Sequence, residues 1–254
     1  MNKETEQAIA SDEMLTKVWP NTILAGYRGS IAHGTAGDLT DDVDLIGVFV
    51  APVEHYFGLS PIDHVDRVGV NGKYDFCMYE IKKLFKLLLK SNPNVLTLLW
   101  TPPNLIVKES IFGKMLIENR DMFLSKQVFK TYGGYAQSQL KQMNRPCTTA
   151  AFQGKKRRER FEKFGYDCKH ASHLIRLLRM GIEILTTGEV NVYRHDHIEL
   201  KAIKQGEWSL EKVTEEADRL DKLLYEAHIR SELPARPDFK EAEELLIDIV
   251  SAYI

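Results

Sequence analysis

One stretch constrains this chain more than any other: GSIAHGTAGDLTDDVDLIGVFV, which spans residues 29–50. It begins with glycines and hydroxyl side chains, continues with four aspartates and ends in an apolar run. Because alternate side chains of a strand share a face, Asp42 and Asp44 should point to one side while Val43 and Leu45 enter the core. The stretch therefore predicts a glycine-rich turn that leads into a buried strand, with two carboxylates side by side at its start.

Two ionised carboxylates held this close repel each other, so the pair is unfavourable unless a cation lies between them. Mg²⁺ fits best, since it prefers oxygen ligands and is commonly held by carboxylates together with substrate phosphates. Mn²⁺ is the alternative ion. Glycines let a polyanion approach backbone N–H groups, and hydroxyls can donate to it. Together with the acids, these residues predict a site for a metal-bound nucleotide, whose phosphates would be bound by Gly29, Ser30, Gly34 and Thr35. A calcium site or an aspartate-capped turn would also explain the acids.

A third carboxylate is expected if two metal ions are to assist displacement at phosphorus. The segments HVDRVGV and KYDFCMY are typical of two strands joined at Asn71-Gly72 by a tight hairpin turn. Alternation in the second strand lets Asp75 converge on the first two acids. Glu80 is the competing candidate, but it lies where a helix begins, and the helix dipole alone favours acids there. The predicted metal ligands and catalytic residues are Asp42, Asp44 and Asp75.

The hydrophobic pattern changes along the chain. Up to about residue 125, short apolar runs bounded by turn residues predict three or four strands with helices packed on them. Beyond it, apolar residues recur at three-to-four spacing, which predicts helices. The sequence thus predicts an α+β fold, with a small mixed-sheet domain over residues 1–125 and a helical domain over residues 126–254. A basic connector at about residues 144–160 has no periodicity.

Two basic features could contact phosphates. The run KKRRER, Lys155–Arg160, is the densest basic segment of the chain. In YDCKHASHLIRLLRMG, helical spacing places Lys169, His173 and Arg176 on one face with Met180. We predict that these three basic side chains also bind the nucleotide. A solvated surface would explain either feature equally simply.

Composition excludes several classes of protein. The formal net charge of the 254 residues is −2, so any basic surface must be a local patch. The three cysteines lack metal-ligand spacing and are an odd number, which argues against a disulfide framework and a zinc site. The N-terminal segment lacks a signal-peptide pattern, and no apolar run approaches the ~18 residues of a membrane span. These features predict a cytoplasmic protein without membrane contact.

The motif G-S-x-x-x-G-T at residues 29–35, followed by Asp42-Val43-Asp44, resembles the nucleotidyltransferase superfamily of DNA polymerase β, with its G-S motif and D-x-D pair. The segments DFCMYEIKKLFKLLLKSNPNVLTLLW and GYDCKHASHLIRLLRMGIEILTTGEV are similar to bacterial and phage-encoded nucleotidyltransferases labelled RNA-repair-pathway polymerase β-like. The similarity runs from about Ala25 to Val192. Asp41 stands where relatives commonly have serine, which leaves the charge balance beside the metals open.

The resemblance implies a catalytic α+β domain, two magnesium ions on three acids, and transfer of a nucleoside monophosphate from a nucleoside triphosphate. We expect an acceptor hydroxyl to attack the α-phosphorus and pyrophosphate to leave. The predicted acceptor is an RNA end, with tRNA as one candidate, held through Lys155–Arg160. The same chemistry on a small-molecule or protein hydroxyl is the alternative. A non-catalytic nucleotide- or RNA-binding module is a further alternative, but such a module needs no set of three acids.

Overall fold

The computed structural model describes residues 1–37, 42–59, 62–145 and 161–254. Two compact units are present: Met1–Phe123 together with Arg236–Ile254, and Leu124–Ala235. The first unit combines a sheet with helices, and the described part of the second is helical. The predicted α+β class is therefore confirmed. The basic run Lys155–Arg160, most of the predicted connector, and Asp41 lie outside the described residues.

A five-stranded mixed sheet forms the centre of the first unit, with the strand order β3-β4-β2-β1-β5. Strands β2 and β4 are parallel, and the other neighbours are antiparallel. The sequence predicted the first four strands but not β5, a four-residue strand at the sheet edge whose length is too short for a clear alternation. The strands are β1 (Thr22–Tyr27), β2 (Val43–Phe49), β3 (His64–Val70), β4 (Tyr74–Glu80) and β5 (Ile106–Glu109).

Helices cover this sheet. The first two pack their apolar sides on one sheet face, where Leu15 joins Leu45, Phe76 and Met78 in the buried core. Helices α5 and α6 also contact β2, and α7 contacts β1. The helices of the first half are α1 (Lys3–Ala10), α2 (Glu13–Val18), α3 (Gly29–Ala32), α4 (Val53–Phe57), α5 (Ile81–Leu88), α6 (Pro93–Leu99) and α7 (Ile111–Glu118).

The hairpin between β3 and β4 turns at the predicted dipeptide. Asn71 and Gly72 have φ values of 51° and 71°, and the Lys73 N–H donates to the Val70 carbonyl at 3.2 Å. These positive φ values are those of the turn expected for Asn-Gly, so the prediction is confirmed. The following strand, β4, is thereby brought between β3 and β2.

Helix α9 (Cys168–Thr187) is the centre of the second unit. It contacts α8 (Gln127–Met143), α10 (His197–Gln205) and α11 (Leu210–Arg230). Gly181 permits this packing, because an added Cβ would lie 2.9 Å from Leu224 and 3.1 Å from Tyr132. The guanidinium of Arg179 in α9 pairs with the carboxylates of Glu199 in α10 and Glu216 in α11. The unit is thus fixed by apolar packing together with partly buried ion pairs.

The C-terminal helix α12 (Phe239–Tyr253) belongs to the first unit, whereas the predicted boundary grouped it with the helical domain. The Tyr253 ring packs against Phe112 with centroids 5.4 Å apart, and its hydroxyl lies 3.3 Å from the Asn21 amide oxygen. Amphipathic spacing indicates that a helix has a buried face, but not which surface covers that face.

Gly113→Ala should lower the free energy of unfolding by about 1–3 kcal/mol, because an added Cβ would collide with the backbone carbonyl of Ile23 where α7 crosses β1. Gly134→Ala, at an exposed position of α8 with no atom within 4 Å of the added Cβ, should raise it by up to about 1 kcal/mol through helix propensity. Chemical denaturation followed by circular dichroism measures both changes. Equal effects of the two substitutions would contradict this packing.

Candidate active site

Three strand termini meet at the same end of the sheet in the first unit, where β1 ends and β2 and β4 begin. The parallel register of β2 and β4 pairs Asp44 with Asp75, so the two acids are neighbours on one sheet face. The Arg28 N–H, just after β1, donates to the Asp44 carbonyl at 2.9 Å, and the Val43 N–H donates to the Lys73 carbonyl at 2.8 Å. The end of β1 and the beginnings of β2 and β4 are thereby joined by backbone hydrogen bonds.

The glycine-serine turn lies directly against the first of these acids. Gly29 has a φ of 63°, a conformation that favours glycine, and an added Cβ there would collide with the Asp44 carboxylate. Gly29 therefore serves both the turn and the close approach of the carboxylate. The turn and Asp44, both part of the predicted stretch, are thus in contact in the structure.

The rest of the turn folds back on itself. Gly34 also has a positive φ, 73°, and the Thr35 N–H donates to the Ser30 carbonyl at 2.8 Å. Thr35 and His33 are buried, whereas Ser30 is partly exposed. Of the two predicted hydroxyls, that of Ser30 is therefore the more accessible to a ligand.

The acids have different surroundings. A guanidinium nitrogen of Arg28 lies 3.9 Å from the Asp44 carboxylate, a weak and partly exposed ion pair. Asp75 is half-buried, and its Oδ1 accepts the Gly69 N–H at 2.8 Å. Asp42, by contrast, is exposed just before β2. The register thus brings Asp44 and Asp75 together, while Asp42 lies outside the strand.

The carboxylates at this end of the sheet fit a divalent metal ion. Two carboxylates on adjacent strands supply the oxygen ligands that Mg²⁺ prefers. Within the described ranges, no three His, Cys, Asp or Glu side chains are close enough together to hold an ion. The full ligand set of Asp42, Asp44 and Asp75 therefore stays a prediction.

Glu80, the competing third acid, has a structural role. It caps α5, where its carboxylate accepts the N–H groups of Lys82 and Lys83, and it also accepts the Tyr56 hydroxyl at 2.8 Å. Burial, and then this carboxylate, raise the pKa of the Tyr56 hydroxyl. Glu80 is buried opposite Phe49, about 16 Å along β4 from Asp75 at about 3.3 Å per residue. Its position favours Asp75 as the acid beside Asp44.

The predicted basic face of α9 is not continuous at the surface. Lys169 is exposed and His173 and Arg176 are half-buried, but Met180 is buried. Among the described residues no carboxylate pairs with Arg176, whose guanidinium contacts the Met180 sulfur at 3.3 Å. Burial lowers the pKa of Arg176 to about 10. The structure thus places one incompletely satisfied guanidinium on this helix.

Three further residues of interest were not predicted from the sequence. Arg28 precedes the glycine-serine pair, and a basic residue beside a turn predicted to bind phosphate would have been a signal for it. Gly69, inside β3, could have been suspected as a bulge, because a glycine within a strand often marks one. Tyr132 is fully buried, and its hydroxyl has no hydrogen-bond partner in the described part of the chain. Nothing in its local sequence indicates this environment.

The two free cysteines among the described residues, Cys77 and Cys168, are both buried. Burial, and then a contact with Asp66, raise the pKa of the Cys77 thiol to about 11, which keeps it protonated near neutral pH.

The helices that the structure describes are all too short or too polar to cross a membrane.

Comparison with known protein families gives a match along nearly the whole chain: the RNA repair pathway DNA polymerase beta family, RlaP, matches residues 1–248. An uncharacterized 38.9 kDa protein in the nrdC-mobD intergenic region of Enterobacteria phage T4 is 30% identical over 127 residues, which are 46% of this chain and 37% of the phage protein. This chain thus matches well under two thirds of that relative. A nucleotidyltransferase-like protein from Exiguobacterium sibiricum 255-15 aligns over 98% of this chain and 78% of its own, at 14% identity and a TM-score of 0.31.

Glu80→Ala should lower the free energy of unfolding by about 2 kcal/mol, because α5 loses its cap and the Tyr56 hydroxyl its buried acceptor. Asp42→Ala removes an exposed side chain and should change it by less than about 0.5 kcal/mol. Urea denaturation of the two variants measures the difference. A Glu80→Ala protein as stable as Asp42→Ala would show that Glu80 is not structural.

Proposed function

The chain belongs to the RNA repair pathway DNA polymerase beta family, and we propose that it is a polymerase β-like nucleotidyltransferase with the following reaction and acceptor. A nucleoside monophosphate passes from a nucleoside triphosphate to a hydroxyl at an RNA end, with tRNA as one candidate. The observation that carries the proposal is the pairing of Asp44 with Asp75 beside the turn at Gly29.

In the proposed reaction the acceptor oxygen forms a bond to the α-phosphorus, and the bond from that phosphorus to the pyrophosphate oxygen breaks. The hydroxyl proton passes to the Asp75 carboxylate, which lies beside Asp44 on the same sheet face. Pyrophosphate leaves opposite the attacking oxygen. Atoms and charge balance without any redox partner.

The acids Asp42, Asp44 and Asp75 would hold Mg²⁺, or Mn²⁺ in its place. When bound, a divalent ion lowers the pKa of the acceptor hydroxyl and offsets the charge of the triphosphate. The backbone N–H of Gly29 and the Ser30 hydroxyl bind the β- and γ-phosphates in this proposal. Support comes from their position, because the turn lies against the Asp44 carboxylate.

The helical unit contributes positive charge in the proposal, through Lys169, His173 and Arg176. Arg176 is the best supported of the three, because a partly buried guanidinium without a carboxylate partner among the described residues is unfavourable for stability. Such a group is retained at little benefit to the fold, but it can neutralise a phosphate. RNA would be held further by Lys155–Arg160, whose charge suits a phosphate backbone.

The acceptor is tested by labelling. The purified protein is incubated with Mg²⁺, each α-³²P nucleoside triphosphate in turn, and total RNA, and the label is then sought in RNA, protein and small molecules. We expect label in RNA, and we expect Asp44→Asn to reduce it by at least about 100-fold because an ionised ligand is lost.

Folding of Asp44→Asn, checked by circular dichroism, is the control for that experiment. Label in protein or in a small molecule would replace RNA as the acceptor while the chemistry stands. Unchanged labelling by Asp44→Asn would exclude this carboxylate from the reaction, and no label with any acceptor would favour a non-catalytic binding module.

Arg176→Met and Arg179→Met provide a matched pair on one helix. Arg176→Met should leave the free energy of unfolding unchanged or raise it by up to about 2 kcal/mol, and should weaken nucleoside triphosphate binding about 10-fold. Arg179→Met leaves the carboxylates of Asp196, Glu199 and Glu216 without their shared partner, so it should lower stability by about 3 kcal/mol without a specific loss of affinity. Thermal unfolding and isothermal calorimetry separate the two effects. Equal nucleotide affinities in the two variants would exclude Arg176 from the nucleotide site.

A further inference from the structure

Strand β3 carries a bulge directly opposite Asp75. Arg67 pairs with Phe76 and Val70 pairs with Tyr74, so two residues of β3, at positions 68 and 69, face Asp75 alone. A bulge of this kind bends the edge strand and turns a backbone group out of the regular ladder. Here the group turned out is the Gly69 N–H, which donates to the Asp75 Oδ1 at 2.8 Å.

Gly69 is held on both sides. Its carbonyl accepts the Gly72 N–H at 2.8 Å, while its own N–H is bound to the Asp75 carboxylate. Its φ is 69°, in the left-handed region, and no atom lies within 4 Å of an added Cβ. Conformation, rather than space, is therefore what requires a glycine at this position.

We propose that Gly69 is a positioning residue for the reaction: its N–H fixes the Asp75 carboxylate beside Asp44, with one oxygen bound to the backbone and the other available for a metal ion. This inference rests on the proposed function, because it takes Asp75 as a metal ligand. A hydrogen bond to one carboxylate oxygen holds the rotamer of the ligand and so reduces the ordering required when the ion binds.

The electrostatics explain why such a bond is needed. Asp44 and Asp75 are register partners, so two carboxylates with like charge are adjacent and repel each other. A guanidinium nitrogen of Arg28 lies 3.9 Å from the Asp44 carboxylate, which is too far for a strong hydrogen bond. Because β3 lies on the side of β4 away from β2, the Gly69 N–H holds one oxygen of Asp75 away from Asp44 and so limits this repulsion, and the charged acceptor makes the hydrogen bond stronger than a neutral one would.

The chain offers a matched control for this proposal. Gly69 and Gly72 belong to the same hairpin, have φ values of 69° and 71°, and both lack any atom within 4 Å of an added Cβ. Alanine should strain both sites equally, and each variant should lose about 2–4 °C in melting temperature. Only Gly69→Ala should move the N–H that holds Asp75.

Mn²⁺ binding to the full chain, measured from the free-ion signal in electron paramagnetic resonance, is the readout, because it needs no turnover. Gly69→Ala should weaken binding about 10-fold, whereas Gly72→Ala should bind as the unmodified protein does. Gly69→Asn should retain most of the affinity, since asparagine tolerates the left-handed region better than other side chains. The Mg²⁺ concentration that half-activates nucleotide transfer should shift in the same order.

Two further results separate this proposal from the proposed function. If Asp75→Asn loses Mn²⁺ binding while Gly69→Ala matches Gly72→Ala, Asp75 is a ligand but the bulge does not position it, and the proposal is overturned alone. If Asp75→Asn binds Mn²⁺ as the unmodified protein does, Asp75 is not a ligand, and both its proposed role and the positioning by Gly69 are overturned.

Discussion

The parallel pairing of β2 with β4 is the contact on which the candidate site depends. Apolar packing on one face of the sheet, with Leu45, Phe76 and Met78 in the core, fixes the register of these strands. The same register places Asp44 opposite Asp75 on the other face. A slip of one residue would turn an acid toward the core and an aromatic side chain toward the site. Hydrophobic burial on one side of the sheet thus determines where the chemistry on the other side can occur.

Charged groups in this protein fall into two kinds. Those with a structural role are satisfied: Glu80 caps a helix, and the nearly fully buried Arg194 pairs with Glu183 and Asp196. Asp44 and Asp75 lie next to each other and carry like charges, and Arg176 contacts the Met180 sulfur rather than a carboxylate. Both arrangements are unfavourable for the folded chain alone. In the proposed function, a bound metal ion would compensate the acids and a nucleotide phosphate would compensate Arg176.

Local patterns in the sequence were sufficient for much of this fold. Short apolar runs bounded by turn residues predicted β1 to β4, and Asn71-Gly72 predicted the hairpin of β3 and β4, because both signals depend only on neighbouring residues. The approach of Gly29 to Asp44 was implied by a single stretch. The bulge at Gly69 could not be derived in this way, since alternation along β4 does not show an inserted residue on its partner. The surface that receives α12 was equally out of reach, because amphipathicity does not identify a partner.

The sheet order has a consequence for folding. Asp44 lies in the antiparallel pair β1–β2 and Asp75 in the hairpin β3–β4, and only the β2–β4 contact joins these two local pairs. A chain in which both pairs have formed separately carries two half-sites, neither able to bind an ion through both acids. A metal ion held by both acids, as proposed, would therefore stabilise only the completed sheet and by mass action shift intermediates toward the fully assembled state. In this protein a bound metal ion would thus favour the last step of sheet assembly.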